Sequence, residues 1–213
     1  RRGFLQTSAF GLTAATLSSW PCLVRAAENT TASKMKIGLV TYQWGKDMDL
    51  PTLIDACEKS GLLGVELRTE HAHKVEPNLT AAQRKEVRSR FADSPVALVG
   101  YGSNAQFHEA DPEKVKRNIE LTKQYVQLMH DCGGSGVKVK PNGFARGVPR
   151  EKTIEQIGRA LNVVGAYAED LGQTIRVEVH GSGTSALPVM KAIFDVADHP
   201  NVGVCWNSNG EDL

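Results

Sequence analysis

From Met35 onward the chain keeps returning to one alternation. A short run of β-branched and aliphatic residues is followed by a longer stretch whose apolar residues recur at helical spacing. The strand-like runs are 35–42, 64–68, 95–101, 136–141, 174–181 and 201–207. Each strand–helix unit takes roughly 30–40 residues. Successive strands separated by a helix must pair in parallel, with the helices covering the sheet. That restricts the chain to a (β/α) barrel or a doubly wound sheet. No GxGxxG follows the first strand, so a dinucleotide-binding sheet has no motif behind it. The fold class read here is α/β, a (β/α) TIM barrel.

The helices are punctuated by recognisable stops and starts. Asp49 caps a helix with Pro51 in its first turn, and Gly61 ends it. Thr80 and Gln83 have the spacing of a capping box. Asp111-Pro112 opens a long helix with Val115, Ile119, Thr122, Val126 and Met129 on one face, closed by Gly133 and Gly134. Ile154, Ile157, Leu161, Val164 and Ala168 form the next stripe, and Gly172 follows it. A further helix is expected over 187–196.

Length and composition set the remaining bounds. An eight-stranded barrel takes about 250 residues, whereas this chain has 213 and reaches its sixth strand near Asn207. About six of eight units are therefore expected, and such a piece, with two strand edges and an open core, is expected to be neither stable nor active alone. A formal net charge of +1 gives no global pull toward nucleic acid or an acidic membrane surface. Cys22, Cys57, Cys132 and Cys205 form no CxxC pair, which leaves zinc-ribbon and thioredoxin readings without support and favours buried free thiols. Residues 1–33 read as an export signal and linker. Arg1-Arg2-Gly3-Phe4-Leu5 is followed by a mildly apolar stretch and by small residues at Ala26-Ala27, the layout of a secretory leader. The RRxFL opening resembles a twin-arginine signal, which implies a periplasmic or otherwise extracytoplasmic destination. Residues 34–213 form the barrel domain.

Residues 174–181, TIRVEVHG, carry the clearest functional pattern. Ile175, Val177 and Val179 face one way and Arg176, Glu178 and His180 the other. In a helix-covered parallel sheet a charged face is tolerated at the C-terminal mouth of the barrel, where active sites are built. The same alternation places Glu66 and Arg68 on the second strand, Lys138 and Lys140 on the fourth and Asn207 on the sixth. Carboxylate and imidazole groups suit a divalent metal, and lysines suit a substrate oxyanion or enediolate. Glu178 is the strongest functional candidate, with His180 beside it. Duller readings stand next to these. Glu66 with Arg68, or Arg176 with Glu178, serve equally as structural ion pairs, and Lys140 before Pro141 as a solvated loop residue. His71 and His73 form an HxH that can bind metal but sits on a polar loop. His108 follows the third strand, and His130 and His199 lie beside helix ends, where capping suits them better. Gly181-Ser182-Gly183 reads as a turn in preference to a phosphate cradle.

These residues also carry a resemblance. VEVHG on the fifth strand, GVEL on the second and VGVCWNSN on the sixth resemble the xylose isomerase-like barrels, the sugar phosphate isomerase/epimerase group whose fold includes endonuclease IV. The resemblance implies a metal-binding glutamate at the end of the fifth strand, matched by Glu178. It also implies an aspartate at the end of the sixth with a histidine shortly after. Asn207 stands in the first place and Asn209-Gly210 in the second, which weakens the charge available to a metal. A histidine and a glutamate on strands seven and eight would lie beyond Leu213.

The expected activity is that of a metal-dependent isomerase or epimerase of a sugar or sugar derivative, acting through an enediolate. Its cofactor would be a divalent ion such as Mn, Mg, Co or Zn, with Glu178 and Asn207 as ligands. Glu178 and His180 are the catalytic candidates, and Glu66, His71, His108, Lys138 and Lys140 the substrate-binding ones. The partner is a small-molecule carbohydrate, with no nucleic acid and no membrane beyond export. A lyase or hydrolase using the same chemistry is an alternative; a non-catalytic carbohydrate-binding barrel is another.

Overall fold

A computed structural model describes residues 35–206. The leader and Asn207 lie outside the described residues. Six strands form one parallel sheet in sequence order: β1 (Leu39–Val40), β2 (Gly64–Arg68), β3 (Ala97–Gly102), β4 (Gly136–Val139), β5 (Thr174–Glu178) and β6 (Val202–Cys205). Between them run α1 (Leu50–Ser60), α2 (Ala81–Ala92), α3 (Pro112–Cys132), α4 (Arg150–Asp170) and α5 (Leu187–Val196). Each connection is a strand–helix–strand crossover, so the partial (β/α) barrel follows directly from the alternation.

Local chemistry fixes the element ends. The Asp49 side chain accepts from the Thr52 N–H, and Gly61 adopts the left-handed conformation after α1. The Thr80–Gln83 capping box is formed. Asp111 caps α3, and Gly133, again left-handed, stops it. The outward faces of the strands, including Val65, Leu67, Val137, Ile175 and Val177, are buried against apolar stripes of the helices to make one core. Cys57 and Cys132 are free thiols within it, and Cys205 is a partly buried free thiol on β6.

The first strand is shorter than its composition predicts. Only Leu39 and Val40 pair with β2, while Met35 and Ile37 are 80% and 71% exposed. A β-branched run at a sheet edge lacks a second partner, so propensity alone does not extend it. Among the described residues no helix is long and apolar enough to cross a membrane.

Candidate active site

Parallel register decides which polar residues meet. Arg68, Gly102, Lys138, Arg176 and Gly203 are matched across β2 to β6, and Glu178 lies opposite Cys205. An irregularity between Val65 and Glu66 shifts the β2–β3 pairing, so that Glu66 faces Gly100 and Val99 is skipped. Residues matched across strands point to the same side of the sheet. The charged side chains therefore share the face opposite the helix-packed core.

Lys138 is the centre of that face. Its ammonium lies 2.8 Å from Glu66 Oε1 and 3.5 Å from Glu178 Oε2, and all three side chains are nearly inaccessible, at 8–11% exposure. Burial by itself would push the Lys138 pKa down, but the carboxylates, Glu66 foremost, outweigh it and hold the ammonium above its ordinary value. Gly102 makes the convergence possible. A Cβ there would stand 2.6 Å from Arg68 Cδ, 2.9 Å from Glu66 Oε1 and 3.4 Å from Lys138 Cε.

The i, i+2 ion pairs open to the sequence are not the ones formed. Glu66 pairs with Lys138 rather than Arg68. Arg176 turns away from Glu178 and donates to the Val99 carbonyl and the Ser135 hydroxyl. Arg68 sends Nη2 to Asn104 Oδ1 at 3.0 Å and lays its guanidinium over the Tyr42 ring at 5.5 Å. Lys140, at the end of β4, is partly buried. Burial first, then repulsion by Arg68, pushes its pKa down, the opposite of Lys138.

Several of the buried polar atoms without hydrogen-bond partners belong to residues on β2 or in the segments that follow β3 and β5. Among the described residues they include Glu66 Oε1, Arg68 Nε, His108 Nδ1 and His180 Nδ1. Glu66 Oε1 is close to the Lys138 ammonium without being aligned for a hydrogen bond. Such atoms are costly in a folded protein, and a cluster of them marks where a ligand belongs.

The other histidines have structural partners. His73 donates from Nε2 to the Arg68 carbonyl and accepts the Val75 N–H at Nδ1, which pins the β2–α2 loop. His71 is a hydrogen-bond partner of Thr41 Oγ1 through Nδ1, and burial, then the Arg68 charge, holds its imidazole below its ordinary pKa. His130 donates to the Leu171 carbonyl at the end of α4, and His199 Nδ1 accepts the Asn201 N–H. Residues 181–185 form a turn closed by Ser185 N–H on the Gly181 carbonyl.

One buried network had no signal in its spacing. Glu76 Oε1 accepts from Tyr101 Oη and the Glu70 N–H, and Oε2 from Tyr125 Oη and Thr69 Oγ1. Tyr101 and Tyr125 stack at 4.6 Å; burial first and then Glu76 drive the Tyr125 pKa up to about 12. The sequence hint was Tyr101 on a buried strand face, where a phenol needs a partner. A cavity of about 760 Å³ beside this network is lined by Thr69, Glu76, Asn104, Gln124 and Tyr125 among others. A groove of about 560 Å³ between α3 and α4 lies on the helical side and carries none of the charged strand residues.

Residues 54–208 match the model of the xylose isomerase-like TIM barrel. The chain belongs to the xylose isomerase-like TIM barrel family. Solved structures of like fold include the IolI protein with a bound zinc atom, at TM-score 0.67 and 18% identity over 80% of this chain and 62% of that one. The 3-keto-D-glucoside 4-epimerase YcjR of E. coli aligns at TM-score 0.67 and 13% identity, covering 81% of this chain and 68% of that one. D-psicose 3-epimerase of Clostridium cellulolyticum H10, solved with D-tagatose, aligns at TM-score 0.64 and 15% identity, covering 81% and 63%. The chain thus spans about 62% of the length of IolI. No curated protein matches it.

Whether this family member's mouth suits a divalent ion is a matter of its donors. Glu66 and Glu178 carry two negative charges and Lys138 one positive, which leaves one net negative charge on carboxylate oxygens at the mouth. That donor chemistry fits a hard cation. Among the described residues no three His, Cys, Asp or Glu side chains gather closely enough to complete a set.

Proposed function

We propose that this chain belongs to a sugar isomerase or epimerase, working at the mouth formed by β2, β4 and β5. The observation that carries the reading is the buried Glu66–Lys138–Glu178 constellation with unpartnered polar atoms around it. Solved relatives of the same fold include epimerases acting on sugars. A divalent ion would be held by Glu178 and by Asn207, which lies outside the described residues. Bound there, it would supply Lewis-acid polarisation of adjacent hydroxyl and carbonyl oxygens.

The chain's own residues do the rest. Glu178 takes the proton from the carbon beside the carbonyl and, in an isomerisation, returns it on the same face to the neighbouring carbon; in an epimerisation a second acid on the other face supplies the proton that inverts the centre. Glu178 suits the proton abstraction better than Glu66, because Lys138 sits 2.8 Å from Glu66 and 3.5 Å from Glu178. The Lys138 ammonium stabilises the negative charge that develops on the enediolate oxygens. His180 and His108 each offer an unpartnered ring nitrogen to substrate hydroxyls. Lys140, just past β4, and His71, in the loop after β2, are the remaining substrate-binding candidates. Export through the twin-arginine route is part of the proposal, since that pathway carries folded proteins with their cofactors.

The test is metal content with turnover. The full-length protein is expected to purify with a stoichiometric divalent ion that Glu178→Gln loses along with activity. Metal-free protein that still turns over a sugar would overturn this version of the reaction.

A further inference from the structure

β3 carries one residue more than β2 across their shared ladder, and that residue decides what the mouth contains. Pairing runs from Val65 with Leu98 to Glu66 with Gly100, so Val99 has no counterpart on β2. Side chains alternate with a period of two, so an inserted residue exchanges the faces of everything after it. Without the insertion Arg68 would lie opposite Tyr101, and the tyrosine ring would point into the mouth. With it Arg68 lies opposite Gly102, while Tyr101 is fully buried on the core side and donates to Glu76. The Glu66–Lys138 pair needs that glycine. A Cβ at Gly102 would stand 2.9 Å from Glu66 Oε1 and 3.4 Å from Lys138 Cε. The bulge on β3 is therefore a precondition of the ion pair that spans the mouth.

A bulge disrupts the ladder around it, and here side chains meet the carbonyl of the surplus residue. Ser135 Oγ donates to the Val99 carbonyl at 2.6 Å and Arg176 Nη1 donates to it at 3.1 Å. Arg176 Nη2 donates to Ser135 Oγ at 2.7 Å, which closes the three groups into a ring. Gly100 leaves room for the guanidinium, since a Cβ there would stand 2.5 Å from Nη1. Arg176 thus reaches from β5, two strands away in the sheet, to the one point where β3 departs from regular pairing. We propose that Arg176 is a positioning residue of the mouth: it holds the β3 bulge, and the bulge seats Gly102 between Glu66 and Lys138. Its bearing on catalysis rests on the mouth being the site of proton transfer. Arg176 acts through the backbone of β3 and reaches neither Glu66 nor Lys138 itself. The fork of a guanidinium serves the carbonyl and the hydroxyl together, which a single ammonium on a flexible stem does less well.

The experiment is a set of mutant cycles on the full-length protein, read as urea midpoints by circular dichroism. Lys138→Met should lower the midpoint of the parent, because it breaks the pair with Glu66. In an Arg176→Met background that downward shift should shrink to less than about half, since the pair is already apart there, whereas a merely local role for Arg176 leaves the two shifts additive. Arg176→Lys should bring back part of the shift. Ser135→Ala removes one donor from the Val99 carbonyl and keeps the arginine; it should show the same coupling to Lys138→Met in weaker form, and it decides the matter if Arg176→Met does not fold. The second readout is deuterium uptake at the carbon beside a ketose carbonyl in D₂O. Uptake should fall about tenfold or more in Arg176→Met, the scale of a small misplacement of reacting groups, with Arg176→Lys in between. A Lys138→Met shift that is the same in the parent and in every one of these backgrounds would overturn the proposal, as would unchanged uptake in Arg176→Met. Coupled midpoints in a protein whose parent form takes up no deuterium would leave Arg176 in its positioning role while the sugar reading fell.

Discussion

Replacing Lys138 with methionine tests the geometry of the mouth through stability. Methionine keeps most of the side-chain length and volume, so the cavity term is small. What is lost is the cation between two buried carboxylates. At an effective dielectric of about 20, a unit-charge contact at 2.8 Å is worth about 6 kcal/mol and one at 3.5 Å about 5 kcal/mol before desolvation. Burying the ammonium offsets several kcal/mol of this, and breaking such a pair costs about 3–5 kcal/mol in practice. That is a large share of the roughly 5–15 kcal/mol that holds a domain together. Adding Glu66→Gln to Lys138→Met neutralises one of the two stranded carboxylates and should return about 1–3 kcal/mol, which a double-mutant cycle isolates. Urea unfolding followed by circular dichroism measures all four corners. The reasoning fails if Lys138→Met unfolds within about 0.5 kcal/mol of the parent, the range of an ordinary surface change. It fails equally if Glu66→Gln brings no recovery.

Three further outcomes follow from single residues. Burial holds the His73 imidazole below its ordinary value of 6.5, so the neutral ring contributes stability above that pH and the contribution is lost as pH falls through the lower folded value; the urea midpoint should drop between about pH 7 and pH 5, and His73→Gln should flatten that slope. Gly102→Ala forces its Cβ against Arg68 Cδ at 2.6 Å and Glu66 Oε1 at 2.9 Å; it should cost about 1–3 kcal/mol and weaken sugar binding by calorimetry, whereas a neutral result would mean the side chains do not converge there. Cys57 and Cys132 are buried, and burial lifts the Cys132 thiol to about 11; a thiol reagent at about pH 8 should leave both unmodified until urea is added, and rapid native labelling would contradict the core packing.

The strands, helices and caps were legible because each has a local cause. Asp49, the Thr80–Gln83 pair, Gly61 and Gly133 act on the backbone beside them and need no tertiary information. The face occupied by Glu66, Lys138 and Glu178 was legible for the same reason, since strand alternation has a period of two. Pairing across the mouth was not. Pairing skips a strand because the position between is a glycine. Glu66 reaches Lys138 across Gly102, and Arg176 reaches the Val99 carbonyl across Gly100, where in each case a Cβ would stand in the way. The Glu76 network was hidden because its members come from a loop, a strand and a helix with no common period. Residues 35–38 differ for another reason, since composition there reads as strand but the ladder with β2 begins at Leu39.

The most direct check on the account is solvent exchange at a sugar carbon. Full-length protein loaded with a divalent ion is incubated in D₂O with ketoses, neutral and acidic, and proton NMR follows the C–H beside the carbonyl. Deuterium should enter that position with the parent protein and stop entering with Glu178→Gln. Exchange that continues unchanged in Glu178→Gln would remove that carboxylate from the chemistry, and exchange with no ketose at all would contradict proton transfer at this mouth.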